Sequence, residues 1–317
     1  MIRITYLSNA KLKKGELDNL DKLRSEVLID CIAPERADLK KLSRKTDIPY
    51  DDFVRALDED ERPGISEFDT FSRITFHAPV HVKAKAFVTV PFSIFIKRNY
   101  TIILRNTHID CIDKFEITDP DKRVEILTKD NAFTIYSILN EVVNHFFKAV
   151  EDLETKITKI DKKVITSEDE KLVKEIFHIK KTLIFFHKSL IGNREVVVDL
   201  EKQLLRDIHG KNVKKFQYLD NDFVQLIDMV DTYRSILSNS LDVHLGVVSN
   251  NMNEVMKRLT IITSFILVPA LIAGIYGMNF VARPEFELGR KGFYSVLGLM
   301  GLSIVLIYMF FKKMKWI

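Results

Sequence analysis

The spacing of apolar positions changes twice along this chain, and the changes divide it into three regions. Up to about Asp119 the apolar runs are short. Residues 1–6, 27–32, 87–96 and 100–104 are rich in β-branched and aromatic side chains and predict strands. Lys97-Arg98-Asn99, between the last two runs, predicts a hairpin. Helical pieces are expected at 37–42 and 50–57, the second with Asp51 and Asp52 in its first turn, where acids are favoured. Pro120 is expected to close this α/β segment.

From Asp121 to Val268 there is no proline, and the period becomes helical. Ile135, Leu139, Val142, Phe146, Ala149, Leu153, Ile157, Ile160 and Val164 recur at steps of three and four, which is one face of a long helix. Ser167-Glu168-Asp169-Glu170 has the pattern of a capping box and opens a second helix through Leu172, Ile176, Ile179 and Leu183. His209-Gly210-Lys211-Asn212 is the next break. A third helix carries Leu219, Phe223, Leu226, Val230, Tyr233, Leu237, Leu241 and Val248 in the same rhythm. Nothing ends that third helix before Tyr276, and at 1.5 Å per residue a helix from Asp220 to Tyr276 measures roughly 85 Å. It is expected to be a stalk that becomes a membrane span.

The last region is apolar. Residues 259–275 and 293–311 are each close to the ~20 apolar residues that a helix needs to cross a bilayer. Lys257 and Arg258 precede the first run, and Lys312, Lys313 and Lys315 follow the second, with Trp316 as an interfacial anchor. Two spans put both termini on one side. The basic flanks favour the cytoplasm, the outer loop carries Arg283, Arg290 and Lys291 against this, and the size of the untranslocated N-terminal domain decides for the cytoplasm. The expected class is therefore an α+β membrane protein: a cytoplasmic α/β domain (1–120), long cytoplasmic helices and stalk (121–258), a first span (259–277), an external loop (278–292), a second span (293–311) and a basic tail (312–317).

Composition changes this picture little. The 48 basic and 44 acidic residues leave a net charge of only +4, so no nucleic-acid footprint is implied. Cys31 and Cys111 are too few for a disulfide framework or a cysteine zinc site. The N-terminus lacks the basic-then-apolar pattern of a signal peptide. No phosphate loop, nucleophile elbow or HExxH pattern occurs, so no enzyme is expected. His77 and His81 cannot share a helical face across Pro79, although a strand would orient both alike. Lys171, Lys174, Lys180, Lys181 and Lys188 read as a solvated helix surface with some attraction for anions.

Two helices from one chain cannot enclose an aqueous path, so a pore here needs several copies. Asn253, Met256, Thr260, Thr263, Leu267, Ala270 and Gly274 fall on one uncharged stripe of small, hydroxyl and apolar residues. A packing face explains those residue types as well as a pore lining does. Asn253 and Asn279, at its two ends, favour the pore. A small, hard divalent cation binds oxygen and gives up its water reluctantly. Neutral oxygens from the Asn279 amide and the Gly277 and Met278 carbonyls would hold a hydrated ion by its waters without gripping it. Met256, Leu259 and Leu267 would make apolar rings of the kind that close a pore by dewetting.

Gly274-Ile275-Tyr276-Gly277-Met278-Asn279-Phe280, at the end of a span in a chain with two C-terminal spans, resembles the signature of the CorA family of magnesium channels. Leu241-Asp242-Val243, Asn253-Glu254-Val255-Met256-Lys257 and Lys312-Lys313-Met314-Lys315-Trp316 also look like family sequence, and Pro284-Glu285 resembles the family's Pro-Glu pair, with Glu285 attracting cations to the entrance. The resemblance implies a homopentamer in membrane lipid with the first spans around the axis. It also implies transport of divalent cations, chiefly Mg²⁺ with Co²⁺ or Ni²⁺ as surrogates, and closure by cytoplasmic Mg²⁺ bound between acidic residues at subunit interfaces. The family's facing aspartates align near Tyr218 and with Phe76-His77-Ala78-Pro79, where no acid stands, so Asp220, Asp222 and Asp228 become the candidate regulatory ligands. Two other readings are a zinc transporter of the same superfamily, against which the methionine of Gly-Met-Asn argues, and a membrane-anchored coiled-coil signalling protein, which leaves the motif unexplained.

Overall fold

Six consecutive residues, Val27–Ile32, are buried without alternation, as a strand covered on both faces requires. The computed structural model describes all residues except 9–10, 24, 83–85, 118–119, 166–169, 203–204, 206–210 and 279–289. Its strands are β1 (Ile2–Ser8), β2 (Lys11–Gly15), β3 (Val27–Ile32), β4 (Gly64–Glu67), β5 (Ser72–Val82), β6 (Ala86–Lys97) and β7 (Tyr100–Arg105). They form one sheet in the order β2-β1-β3-β7-β6-β5-β4, in which only β3 and β7 run parallel. The expected hairpin at Lys97-Arg98-Asn99 joins β6 to β7, with Lys97 opposite Tyr100 and Arg98 at φ 52°. Asn99 fixes the turn by donating its side-chain amide to the carbonyls of Leu23 and Ser25, at 3.3 and 2.7 Å.

Side chains alternate between the two faces of the sheet. Ile29, Cys31, Phe95, Ile102 and Leu104 pack with Leu39, Leu42 and Phe53 from α1 (Arg36–Thr46) and α2 (Tyr50–Arg55). Leu28, Ile74, Phe76, Phe92, Ile94 and Ile103 belong to a second core, shared with the long helices α5 (Asn131–Val164) and α6 (Glu170–Glu201). The nine positions named for α5 from periodicity are all buried. Between the sheet and α5 lie two short helices, α3 (Asp110–Ile117) and α4 (Pro120–Thr128). Pro120, expected to close the first segment, instead opens α4, a position where its missing N–H costs nothing. Residues 167–169 of the expected capping box, and His209-Gly210, lie outside the described residues.

α6 seals the edge of the sheet. Strand β4 pairs only with Ser72–Thr75 of β5, so on that side, away from β6, the peptide groups of His77 have no strand beside them. The buried amide of Asn193 takes that place, accepting from His77 N at 2.9 Å and donating to His77 O at 2.8 Å. α6 comes this close because residue 192 is glycine; a Cβ there would lie 2.9 Å from Pro63. The His77 ring joins Ser189 Oγ at 3.0 Å and Glu61 O at 2.8 Å, and burial lowers its pKa. His81, on the same strand, is exposed and lies edge-on to Phe87, so the two histidines do not form a site.

One ion cluster closes the second core. Arg105 and Asp30, both without solvent exposure, meet through two hydrogen bonds of 3.0 and 2.7 Å, and Arg105 also reaches Asp113 at 2.7 Å. Burial alone would lower the Arg105 pKa, but the carboxylates of Asp30 and Asp113 hold it above its ordinary value.

The last two helices are α7 (Phe216–Gly277), of 62 residues, and α8 (Arg290–Lys313). Contacts divide the chain into two compact units, Met1–Leu241 and Asp242–Ile317. The Asp30→Ala variant, which leaves the Arg105 charge buried with one carboxylate fewer, is expected to lose about 3–5 kcal/mol of stability. Thermal unfolding of the purified full-length protein checks this, and a Tm within a degree of the parent would refute it.

Candidate functional site

Within Asp242–Ile317, the two apolar helices each carry one partly covered stripe. On α7 it is Ile261, Ser264, Phe265, Val268, Pro269 and Ile272; on α8 it is Gly292, Val296, Met300, Ser303, Ile307 and Phe311. Phe265 and Phe311 meet with ring centroids 6.4 Å apart. Asn253, Met256, Thr260, Thr263, Leu267, Ala270, Gly274, Gly277 and Met278 are all exposed. At 100° per residue the centre of this exposed stripe lies about 145° around the helix from the covered one. Leu259 is exposed as well, but flanks the stripe about 100° from its neighbour Thr260.

The hydroxyls on and beside this stripe point their hydrogens inward. Thr260 donates to Met256 O and Thr263 to Leu259 O, both at 2.8 Å, and Ser264 donates to Thr260 O at 2.7 Å. With the donors used inside the helix, the oxygens of Thr260 and Thr263 present lone pairs outward. A hydrated cation offers the hydrogens of its waters, so these oxygens suit it. No charged side chain stands among the stripe positions from Asn253 to Gly277.

The stripe does not begin at Asn253. Asp242, Gly246 and Ser249 precede it at the same alternating steps, and all three are exposed. In the other unit, Asn221, Gln225, Asp228, Thr232, Ser235 and Asn239 continue the alternation along α7, and each is exposed. Counted from Asn221 to Gly277 the steps are four and three throughout, with amides, hydroxyls and two aspartates and no basic residue. The apolar period of the same helix concealed this signal. Leu219, Phe223, Leu226, Val230 and Leu237 face the core, and the polar positions read only as their solvated complement.

The three regulatory candidates part company. Asp220 is held by Arg194 Nε at 2.7 Å and is largely shielded from water. Asp222 is half-buried, and burial raises its pKa. Asp228 alone lies on the exposed stripe, beside a cleft of about 420 Å³ that Asn221, Gln225, Thr232 and Tyr233 also line. The Tyr233 hydroxyl is pushed up to about 12 by burial and by the Glu154 carboxylate. Among the described residues, no group of three or more His, Cys, Asp or Glu comes together that would hold a metal ion. Asn279 and Glu285 lie outside the described residues.

The end of α8 is capped by aromatic packing. Trp316 N donates to Phe311 O at 3.0 Å, Lys315 N donates to Lys312 O at 3.1 Å, and Lys315 is left-handed at φ 56°. This is a Schellman cap with lysine where glycine is usual, and its apolar contact is the stacking of Trp316 on Phe311 at 5.6 Å. Phe311, 5% exposed, thus lies between the cap and Phe265.

Residues 27–313 match the family model described as CorA-like Mg²⁺ transporter protein. The chain belongs to that family. It is 33% identical over 319 residues to the cobalt/magnesium transport protein CorA of Methanocaldococcus jannaschii, covering 99% of this chain and 100% of that one. The cobalt/magnesium transport protein CorA of Thermotoga maritima is 31% identical over 71% of this chain and 64% of its own length. Among solved structures, that of the complete CorA magnesium transporter from M. jannaschii superposes with a TM-score of 0.89 at 31% identity, covering 100% of this chain and 99% of that one. The CorA-like family consists of ion transporters rather than enzymes. Its architecture of a soluble α/β domain, a long helix and two C-terminal apolar helices is the one seen here.

In this CorA-like chain the cap gives a direct check on the second span. Lys315→Gly removes the left-handed penalty of an L residue and is expected to stabilise the protein by about 1 kcal/mol. Trp316→Ala removes the stacked ring and is expected to destabilise by about the same amount. Thermal unfolding in detergent measures both, and shifts of the same sign in the two variants would refute the cap.

Proposed function

We propose that this chain forms a homopentameric channel in the cell membrane that carries Mg²⁺ down its electrochemical gradient into the cytoplasm, with Co²⁺ and Ni²⁺ as surrogates. The observation that carries the reading is the exposed stripe of α7 from Asn253 to Gly277, which is uncharged and whose Thr260 and Thr263 oxygens face outward as acceptors. In a lone chain this stripe has no function. Copies that turn it toward a common axis give an aqueous path lined by water acceptors. A strict 3.5-residue repeat winds such helices around one another with a left-handed supercoil.

The chemistry suits an ion that keeps its water. At the outer end the Asn279 amides, with the Gly277 and Met278 carbonyls, accept from the waters of a hexahydrated ion without displacing them. Glu285 attracts cations to the entrance. Met256 and Leu267 narrow the path with apolar side chains whose rings exclude water when the helices approach, and Leu259 supports them from the flank. Both termini are cytoplasmic, on the strength of Lys257, Arg258, Lys312, Lys313 and Lys315.

Closure by cytoplasmic Mg²⁺ follows from the acids that neighbouring copies bring together. The only acidic side chains on the α7 stripe are Asp228 and Asp242, and a ring of either is self-repelling until a cation neutralises it. Asp220 serves Arg194 instead, and Asp222 is half-buried, so both are weaker ligands than Asp228. An ion shifts the equilibrium only by its preference for the closed arrangement.

Liposome flux tests the reading. Asn279→Ala should leave the oligomer intact and lower Mg²⁺ entry by about tenfold or more. Normal flux in that variant would remove the motif from the path. Asp228→Asn should raise the Mg²⁺ concentration that closes the channel, measured as the midpoint for protection of the helices from protease. The same change at Asp220 should move that midpoint less, and the reverse order would exclude Asp228.

A further inference from the structure

The cap at the end of α8 turns the chain back at Lys315, and Trp316 then lines a groove of about 610 Å³ with α7. Asn250, Asn253, Glu254, Lys257 and Thr260 line it from the α7 side, all within the Asp242–Ile317 unit. Two of these groups have fixed partners. Arg258 Nη2 donates to the Glu254 carboxylate at 3.4 Å, and the Thr260 hydroxyl donates to Met256 O. The Lys257 ammonium group, the Asn250 and Asn253 amides and the Trp316 indole N–H have no hydrogen-bond partner among the described residues. At 100° per residue Asn250 and Lys257 lie about 60° and 40° around α7 from Asn253, toward the face that α8 covers. The groove therefore flanks the exposed stripe and shares Asn253, Met256 and Thr260 with its edge.

Four unused donors around one hollow, an ammonium group among them, suit an anion with several oxygens. The one carboxylate in the lining, Glu254, is balanced by Arg258. Position selects the kind of anion. Asn250 and Lys257 stand just before Leu259, where the first apolar run begins, and Thr260 lies inside that run. Trp316 follows Lys312, Lys313 and Lys315 at the end of the second run. The groove thus straddles the level at which both apolar runs meet polar sequence. Phospholipid headgroups lie at that level in a bilayer, and an indole with an apolar body and one polar N–H is favoured there. Basic pockets between spans on the cytoplasmic side are suited to anionic headgroups.

We infer that this groove binds the headgroup of an anionic phospholipid. Lys257 and the amides of Asn250 and Asn253 take the phosphate oxygens, and the Trp316 indole donates to the ester region beside it. The acyl chains continue along the first span. The site requires that the two apolar helices span a membrane, as proposed above, and it is independent of which ion the channel carries.

Trp316 is the only tryptophan of the chain, so its fluorescence reports on this groove alone. Full-length protein in phosphatidylcholine vesicles would be exposed to phosphatidylglycerol or phosphatidylcholine with brominated acyl chains, at equal mole fractions. Brominated phosphatidylglycerol should quench Trp316 with an apparent association about fivefold stronger, the gain of one lysine at the membrane surface. Lys257→Gln should bring the two lipids to parity. Lys313→Gln, which removes the same charge outside the groove, should leave most of the preference. Excess inorganic phosphate should leave the quenching unchanged. Equal quenching by the two lipids in the parent, equal loss of preference in the two variants, or displacement of the lipid by inorganic phosphate would each overturn the inference. No quenching by either lipid would overturn the membrane spans themselves, and this site with them.

Discussion

Hydrocarbon offers no hydrogen bonds, and that constraint organises the C-terminal third of this protein. A helix that crosses a bilayer must satisfy its own polar groups or face something that does. α7 meets the first requirement through Thr260, Thr263 and Ser264, whose hydroxyl hydrogens return to the backbone one turn earlier. The oxygens of Thr260 and Thr263 remain, with the amide of Asn253, on a face that the second span does not cover. Under the proposed function, water and like faces of other copies complete it.

The soluble unit shows the same logic with different means. Arg105 and Asp30 are buried because each satisfies the other in a two-bond fork, and Asp113 completes the set. Asn193 replaces the missing neighbour of His77 at the edge of the sheet. Both arrangements hold α3 and α6 to the strands by geometry that apolar packing alone does not specify. On the exposed face of α7, Asp231 meets His187 and Arg234, and Arg258 meets Glu254.

Periodic elements were legible in the sequence, and so were the short α1, α2 and β1, whereas β2, β4 and β5 were not. β3, β6, β7, the helices α5 to α7 and both apolar helices follow from spacing, because a buried face repeats whatever it packs against. β5 was missed because Arg73, Thr75 and His77 interrupt its apolar pattern; these polar residues meet Glu61, Ser93 and Ser189 in the fold. β2, Lys11–Gly15, reads as charged loop because an edge strand carries lysines on its open side. At the site, the stripe from Asn253 to Gly274 was visible, while its polar continuation from Asn221 to Asn239 was not. The pairing of Asp220 with Arg194 needed coordinates, since 26 residues and a helix break separate them.

Whether the exposed stripe of α7 faces water is the central claim, and single-cysteine accessibility in membranes tests it most directly. The native thiols do not interfere: Cys31 and Cys111 are buried, and burial pushes the Cys111 thiol up to about 12. Cysteines placed one at a time from 253 to 274 would be treated with a small, charged thiol reagent that cannot enter lipid. The account predicts modification at 253, 256, 260, 263, 267, 270 and 274, with Mg²⁺ slowing it, and protection at 261, 265, 268 and 272. Modification confined to the second set, or protection of the whole span, would contradict it.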